Sequence, residues 1–140
     1  MLIESDLYIA YSKKSDWLKP IAEKIFNSIK TGKLGNIQTS TCIIHELYYV
    51  FSEIAPTSTI MSNAAKLSTL ENVTYIDPTR EILLSALELV STYQLGSIFD
   101  AIYAATTLTP KVPDQTIIST DQAYDRVTGI TRLDPRDLVL

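Results

Sequence analysis

Segments typical of β-strands alternate with helical patterns along this chain, and this alternation constrains its fold more than any other feature. Strands are predicted at Leu2 to Tyr11, Asn36 to Thr39, Val73 to Ile76 and Thr116 to Ser119. Between them, apolar residues recur at spacings of three and four, as they do on the inner face of a helix. Strands that alternate with helices form a mostly parallel sheet with helices on both faces. The sequence therefore predicts an α/β fold.

The predicted helices are bounded by capping residues, glycines and prolines. Their apolar residues lie at 18–29, 43–54, 58–70, 82–90 and 98–105, and a short helix is predicted at 121–127. Ile130 to Leu133 is predicted as a last edge strand. The chain has no apparent linker or internal repeat, and its 140 residues are close to the commonest size for one domain. We therefore expect a single domain over residues 1–140.

The composition is that of a soluble globular protein, with 46% hydrophobic and 20% charged residues. No apolar run reaches the roughly 18 residues that a membrane helix needs. The first residues lack the basic patch and apolar stretch of a signal peptide. Cys42 is the only cysteine and lies among apolar residues, so we expect an inert core thiol. These features predict a cytoplasmic protein that does not contact membranes.

The net charge of −4 and the sequence pI of about 4.9 argue against one class of function. A protein that holds nucleic acid by broad electrostatic attraction is normally basic. Bound divalent cations change this expectation, because they cancel several carboxylates locally. If the substrate is a nucleic acid, the charge therefore favours a metal site over a basic surface.

Five acidic residues occupy positions where open α/β sheets form their sites, near the carboxyl ends of the strands. They are Glu4, Asp6, Glu46, Asp100 and Asp121. Glu4 and Asp6 belong to the first predicted strand, where residues two apart point to the same face. Glu46 is expected about one turn into a helix, Asp100 in the first turn of another, and Asp121 directly after a strand. These acids are candidates for one shared site.

Three of these acids also have ordinary structural explanations. Asp100 and Asp121 stand where acids commonly cap helices. Glu46 borders the apolar stripe of its helix, where most glutamates face solvent. Glu4 and Asp6 differ, because a carboxylate inside an apolar strand costs several kcal/mol unless it is paired or binds a cation. The first strand therefore gives the stronger reason to expect a functional site.

Carboxylates that converge at one edge of a sheet repel each other, and a hard divalent cation relieves that repulsion. Mg²⁺ and Mn²⁺ prefer oxygen ligands and keep several bound waters. Such a site generates a hydroxide-like nucleophile and stabilises charge on a phosphate undergoing attack. The acids therefore point to metal-dependent phosphodiester cleavage.

Four segments of the chain resemble motifs of the PIN domain family. Their order and spacing match that family across nearly all 140 residues. The third segment is the most specific, and the likeness is greatest to the VapC-type toxins of prokaryotic toxin–antitoxin pairs. The segments are Glu4-Ser5-Asp6 with the apolar run after it, Glu46-Leu47, Phe99-Asp100-Ala101-Ile102-Tyr103-Ala104-Ala105, and Ser119-Thr120-Asp121 with the residues to Val127.

This resemblance implies a PIN-like three-layer sandwich and an endoribonuclease that depends on Mg²⁺ or Mn²⁺. It also implies an RNA substrate, a homodimer and an antitoxin protein as partner. The catalytic and metal-binding residues would be Glu4, Asp6, Glu46, Asp100 and Asp121.

One departure from the family pattern is Glu4, because the first acid is usually Asp. The extra methylene displaces the carboxylate by on the order of 1.5 Å, and Mg²⁺ geometry is strict. Asp6 is placed to compensate as a direct or water-mediated ligand. Two alternatives follow from the departure. One is a PIN-like module that no longer cuts and serves in RNA or protein binding. The other is a D-x-D phosphatase, which is disfavoured because its nucleophile would be Glu4.

Overall fold

The computed structural model describes residues 1–138 and is built around a five-stranded sheet. The strand order is β3-β2-β1-β4-β5, and every neighbouring pair is parallel. The connections run outward from β1 in one direction to β3, and then return to β4 and β5 on its other side. This change of direction beside β1 is the kind of place where open α/β sheets bind ligands. The strands are β1 (Leu2–Ile3), β2 (Ile37–Ser40), β3 (Val73–Ile76), β4 (Thr116–Ile118) and β5 (Thr131–Leu133).

Helices connect the strands and cover both faces of the sheet, which confirms the predicted α/β fold. Two short 3-10 turns follow β4 and β5, at Gln122–Arg126 and Pro135–Asp137. The α-helices are α1 (Ser5–Ser12), α2 (Lys19–Lys30), α3 (Ile43–Phe51), α4 (Thr57–Leu67), α5 (Arg80–Tyr93) and α6 (Ile98–Thr107).

Two hydrophobic cores lie on opposite faces of the sheet. Leu2 and Ile117 point into a core formed with α5 and α6. Their neighbours in sequence, Ile3 and Ile118, point into a second core formed with α1 to α4. This alternation is what the two-residue period of a strand requires. The central strands are therefore buried on both sides, and the protein has three layers.

The prediction for the first strand is wrong over most of its length. β1 contains only Leu2 and Ile3, and α1 begins at Ser5. Leu7, Tyr8 and Ala10 are all buried within α1. A helix so largely enclosed shows no polar stripe, so its apolar run is indistinguishable from a buried strand. As a consequence, Glu4 is the N-cap residue of a helix and Asp6 lies in its first turn. They do not share the face of a strand.

Other differences are local. The N-cap of α3 is Cys42, and its side chain makes no capping hydrogen bond. In α5, Leu83 and Leu87 are 43% and 60% exposed although we expected them on the inner face. The buried stripe of α5 is narrow and contains Ile82 and Ala86. The range of β3 matches its prediction.

No single helix within residues 1–138 is long and apolar enough to cross a membrane. Helices α5 and α6 pass that test only as a pair, by length and composition, and the pair is bent by 111°.

Candidate metal centre

Three acidic side chains from distant parts of the chain meet near the carboxyl end of β1. Glu4 follows β1, Glu46 lies in the first turn of α3, and Asp100 lies in the first turn of α6. One carboxylate oxygen of each lies within 4.8 Å of those of the other two. We call these residues the acidic triad. The parallel topology explains the meeting, since α3 begins where β2 ends and α6 begins at the same edge before the chain returns to β4.

Glu4 is held by the strand ladder and by two serines. Its backbone N–H donates to the carbonyl of Ile118 at 3.2 Å, so its main chain continues β1. Its side chain is only 4% exposed. Ser5 Oγ donates to Oε1 at 2.6 Å, and Ser119 Oγ donates to Oε2 at 2.9 Å. The Glu4 carboxylate is therefore fixed before any ligand arrives.

Glu46 and Asp100 complete the triad from two helices. Glu46 is 8% exposed, so it does not face solvent, and its Oε2 accepts a hydrogen bond from the Tyr103 hydroxyl at 2.9 Å. The backbone N–H of Asp100 donates to Ser97 Oγ at 3.1 Å, and Ser97 is the N-cap of α6. The carboxylate of Asp100 is free to join the triad while its main chain takes part in the cap. The capping explanation and the site explanation are thus compatible at this residue.

Asp6 and Asp121 lie outside the triad. Asp6 Oδ2 accepts hydrogen bonds from both the backbone N–H and the hydroxyl of Thr120, each at 2.7 Å. It thereby ties α1 to the loop after β4. Asp121 Oδ1 accepts from the backbone N–H of Ala123 at 2.8 Å and caps the 3-10 turn, as the structural explanation predicted. A metal role for these two residues stays a prediction.

The triad is electrostatically uncompensated in the protein itself. Burial raises the pKa of Glu4 well above its ordinary value, and the charge of Asp6 raises it further. Burial likewise raises the pKa values of Glu46 and Asp100, against the effect of nearby hydroxyl groups. Among residues 1–138, no lysine or arginine lies within ion-pair distance of these acids. A cation would therefore stabilise the triad strongly.

The donor set suits a hard divalent cation. All three ligands offer carboxylate oxygens, which Mg²⁺ and Mn²⁺ prefer. One oxygen of each of the three acids lies within 4.8 Å of the others, so Glu4, Glu46 and Asp100 are the residues that would hold such a cation. Cys42 lies beside the acids, and burial raises the pKa of its thiol to about 11, so the free thiol is protonated at neutral pH.

The PIN domain family model matches residues 7–130 of the chain. This chain belongs to the PIN domain family. The match covers most of the sequence and all three layers of the fold, and it confirms the resemblance seen in the motifs. No curated protein has a sequence that matches the chain.

Solved structures of toxin–antitoxin proteins share the fold of this PIN domain. The VapC20 toxin of Mycobacterium tuberculosis, a sarcin-ricin loop cleaving toxin, superimposes with a TM-score of 0.71 at 19% identity, over 93% of this chain and 95% of that chain. A toxin–antitoxin complex from Klebsiella pneumoniae gives 0.60 at 14% identity, over 96% of each chain. VapBC2 from Rickettsia felis, bound to a DNA fragment from its promoter, gives 0.67 at 13% identity, over 94% and 96%. At these identities the likeness concerns the fold.

One contact in the centre of this PIN domain was absent from the sequence prediction. Tyr103 donates a hydrogen bond from its hydroxyl to Glu46, one of the triad acids. The sequence did contain a signal for it. Tyr103 lies three residues after Asp100, so the two side chains lie on the same face of α6. A tyrosine on that face, inside an apolar run, needs a hydrogen-bond partner once it is buried.

Proposed function

We propose that this chain is a metal-dependent endoribonuclease that hydrolyses phosphodiester bonds in RNA and acts as the toxin of a toxin–antitoxin pair. Mg²⁺ or Mn²⁺ is its cofactor, and residues 1–140 form its one domain, of which 139 and 140 lie outside the described residues. A cytoplasmic location is part of the same proposal.

The observation that carries this proposal is the acidic triad inside a PIN fold. Two buried carboxylates and a half-buried one, without a basic partner among residues 1–138, destabilise the folded protein unless they bind something positive. Structural ion pairs do not explain them, and neither do caps, since Glu46 caps no helix. A divalent cation accounts for their meeting, their burial and their raised pKa values together.

In this proposal, Glu4, Glu46 and Asp100 hold the cation directly. When bound, the cation supplies Lewis-acid activation of water and neutralises charge on the phosphate. Asp121 lies close enough for its charge to raise the pKa of Asp100, and it contributes to the centre through water. Asp6 keeps the loop after β4 in place through Thr120. The serines on Glu4 orient its longer side chain, so the departure from the usual Asp is compatible with activity.

We also propose that the protein is a homodimer. Large apolar side chains are exposed on α3, α5 and α6, and a second copy of this chain would cover them. Tyr49 of α3 contacts Phe99 of α6 with ring centroids 6.1 Å apart, so the exposed patch continues from one helix to the next. The exposed residues there are Tyr48, Tyr49, Leu83, Leu84, Leu87 and Ile98. Light scattering on the wild type and on Leu84→Lys tests this, with dimer and monomer as the expected masses.

An antitoxin protein is the second proposed partner. Two of the structural neighbours are toxin–antitoxin assemblies. The chain also has an open groove between α1, α3 and α4, with Phe51 and Ile54 among its apolar residues and Lys13, Lys14 and Lys66 among its lining. An amphipathic segment with acidic residues has the complementary chemistry for such a groove.

The decisive experiment is RNA cleavage by the purified protein. A labelled structured RNA is incubated with Mg²⁺ or Mn²⁺, and in parallel with EDTA. Asp100→Asn tests the triad, and Asp77→Asn is the matched control because Asp77 is an exposed acid directly after β3. We expect cleavage that is lost in EDTA and in Asp100→Asn and retained in Asp77→Asn.

The competing hypothesis is a PIN module that binds RNA or protein without cutting. The observation in its favour is Glu4, since the family usually has Asp there. It predicts no cleavage with either metal and no rise in melting temperature when metal is added. Cleavage that persists in Asp100→Asn would contradict the proposed mechanism instead.

A further inference from the structure

Tyr103 is fully buried in α6, yet its hydroxyl is directed at the acidic triad. The hydroxyl donates to Glu46 Oε2 at 2.9 Å. This bond joins α6 to α3, across 57 residues of sequence, at the point where both helices deliver an acid to the centre. It occupies Oε2 of Glu46 and leaves Oε1 without a bond to this tyrosine.

Three tyrosines are fully buried, and comparing them shows that burial of the ring does not by itself require a hydrogen bond to a carboxylate. Tyr8, Tyr103 and Tyr124 each have 0% exposure, and their rings fill the two cores. The hydroxyl of Tyr8 has no hydrogen-bond partner among the described residues. The hydroxyl of Tyr124 donates to a backbone carbonyl, that of Asp100, at 3.3 Å. Of these three, Tyr103 alone places its hydroxyl on a carboxylate, and a phenylalanine would fill the same space without it.

Among residues 1–138, Glu46 accepts one side-chain hydrogen bond, whereas Glu4 accepts two. Glu4 is held by Ser5 and by Ser119, one on each oxygen. The hydroxyl of Ser5 is therefore engaged at Glu4, and Tyr103 is the donor in direct hydrogen-bond geometry at Glu46. A glutamate has three side-chain torsions, and an unheld carboxylate loses rotational freedom when it binds a metal.

We infer that Tyr103 is a positioning residue of the metal centre, whose hydroxyl fixes the carboxylate of Glu46 so that its second oxygen is presented to the cation. This inference rests on the proposed function. Hydrogen bonds that orient ligating carboxylates typically change metal affinity by about 10–100-fold. Tyr103 does not contact the cation or the RNA. It acts through Glu46.

The test is Mn²⁺ affinity, measured by electron paramagnetic resonance on the purified protein, so that no cleavage is needed. Tyr103→Phe should weaken Mn²⁺ binding by about 10-fold or more. Tyr8→Phe is the matched control, since it also removes a fully buried hydroxyl, and it should bind Mn²⁺ like the wild type. Melting curves in EDTA establish that both variants are folded. Equal Mn²⁺ affinity in the wild type and Tyr103→Phe would overturn the inference.

A double-mutant cycle then separates positioning from a general weakening of the core. Glu46→Asp keeps a carboxylate but withdraws it from the Tyr103 hydroxyl by on the order of 1.5 Å. If Tyr103 acts through Glu46, then Tyr103→Phe weakens Mn²⁺ binding much less in the Glu46→Asp background. The same loss in both backgrounds would assign Tyr103 a merely structural role. Failure of the wild type to bind Mn²⁺ would reject the metal centre itself, and with it this inference.

Discussion

Acidic side chains are stabilised in opposite ways in two parts of this molecule. In the triad, Glu4 and Glu46 are buried and Asp100 is half-buried. No basic residue within 1–138 pairs with them, and burial raises their pKa values. Asp134, after β5, is also buried, but its carboxylate accepts hydrogen bonds from the guanidinium groups of Arg132 and Arg136. The Arg136 side chain is the main reason that the pKa of Asp134 is held well below its usual range.

The difference separates an acid whose charge is balanced by arginines of the same chain from a cluster of acids whose charge is not balanced. Asp134 is paired with Arg132 and Arg136, and these contacts hold the residues after β5 in place. Arg132 also donates to the carbonyl of Ser119 at 3.1 Å, which supports the end of β4. The triad has its hydrogen bonds but no counter-charge. An acid cluster that a protein keeps at a cost to its own stability is a candidate for function.

The largest expected effect comes from removing a triad acid. Glu46→Gln should weaken Mn²⁺ binding by about 100-fold or more, because even the partners of a metal ligand change affinity by 10–100-fold. The metal-free variant should melt no lower than the wild type, since one of three repelling charges is gone. Isothermal titration calorimetry with Mn²⁺ measures the affinity, and melting curves in EDTA measure the stability of the metal-free protein.

Glu53→Gln is the control for this change, as Glu53 is an exposed glutamate just after α3. A strong loss of metal-free stability in Glu46→Gln would place the triad in the same structural class as Asp134.

The opposite pattern is expected at Asp134. Asp134→Asn should lower stability by about 2 kcal/mol, the usual range for hydrogen bonds to charged groups. For a chain of this size that corresponds to about 6 °C in melting temperature. Mn²⁺ affinity should be unchanged, because Asp134 shares no hydrogen bond or ion pair with a triad residue within 1–138.

Asp125→Asn provides a graded comparison within the same region. Asp125 pairs with Arg132 at 2.9 Å, but its side chain is 50% exposed. Exposed pairs contribute about 0–1 kcal/mol, so the melting temperature should fall much less than in Asp134→Asn. An equal fall in melting temperature in the two variants would mean that burial does not strengthen the contribution of Asp134 to stability.

Glu4→Asp gives a smaller effect and sharpens the comparison inside the triad. The change restores the residue that the PIN family usually has, but it withdraws the carboxylate from Ser5 and Ser119. We expect Mn²⁺ affinity to fall by about 10-fold, as for loss of an orienting contact. Calorimetry beside Glu53→Asp measures it. Tighter binding in Glu4→Asp would show that the serines do not compensate for the longer side chain.

The sequence predicted the parts of the site that rest on local signals. Asp100 was predicted in the first turn of a helix, and the structure has it in the first turn of α6, after the Ser97 cap. The position of Glu46 in the site was predicted from the boundary between β2 and the helix after it. The α/β class followed from the alternation of elements, which a few misplaced residues do not disturb.

The rest depended on information that a local pattern does not carry. The run from Leu2 to Tyr11 is apolar because α1 is largely enclosed by neighbouring elements, and only tertiary packing reveals that Glu4 lies between β1 and α1. The bond from Tyr103 to Glu46 joins helices far apart in sequence. Asp6 and Asp121 looked equivalent to the triad acids, and their hydrogen bonds to Thr120 and Ala123 distinguish them only in three dimensions.

The smallest effect concerns pH, and here the two regions should move in opposite directions. The triad pKa values are raised by folding, so the folded protein binds these protons more tightly than the unfolded chain does. Metal-free stability from the triad is therefore greatest below the ordinary carboxyl pKa of about 4 and is lost as pH rises through the raised values. The pKa of Asp134 is lowered by folding. The contribution of Asp134 to stability is present above about pH 4 and is lost as pH falls toward its lowered pKa.

Melting temperatures measured in EDTA test both directions. The melting temperature of Glu46→Gln minus that of the wild type should grow from pH 4 to pH 8. The melting temperature that Asp134→Asn loses relative to the wild type should shrink below pH 4. Saturating Mn²⁺ should reverse the sign of the first difference at pH 8 and leave the second unchanged. If the melting-temperature difference between Glu46→Gln and the wild type changed with neither pH nor Mn²⁺, the triad would carry no charge repulsion for a cation to relieve.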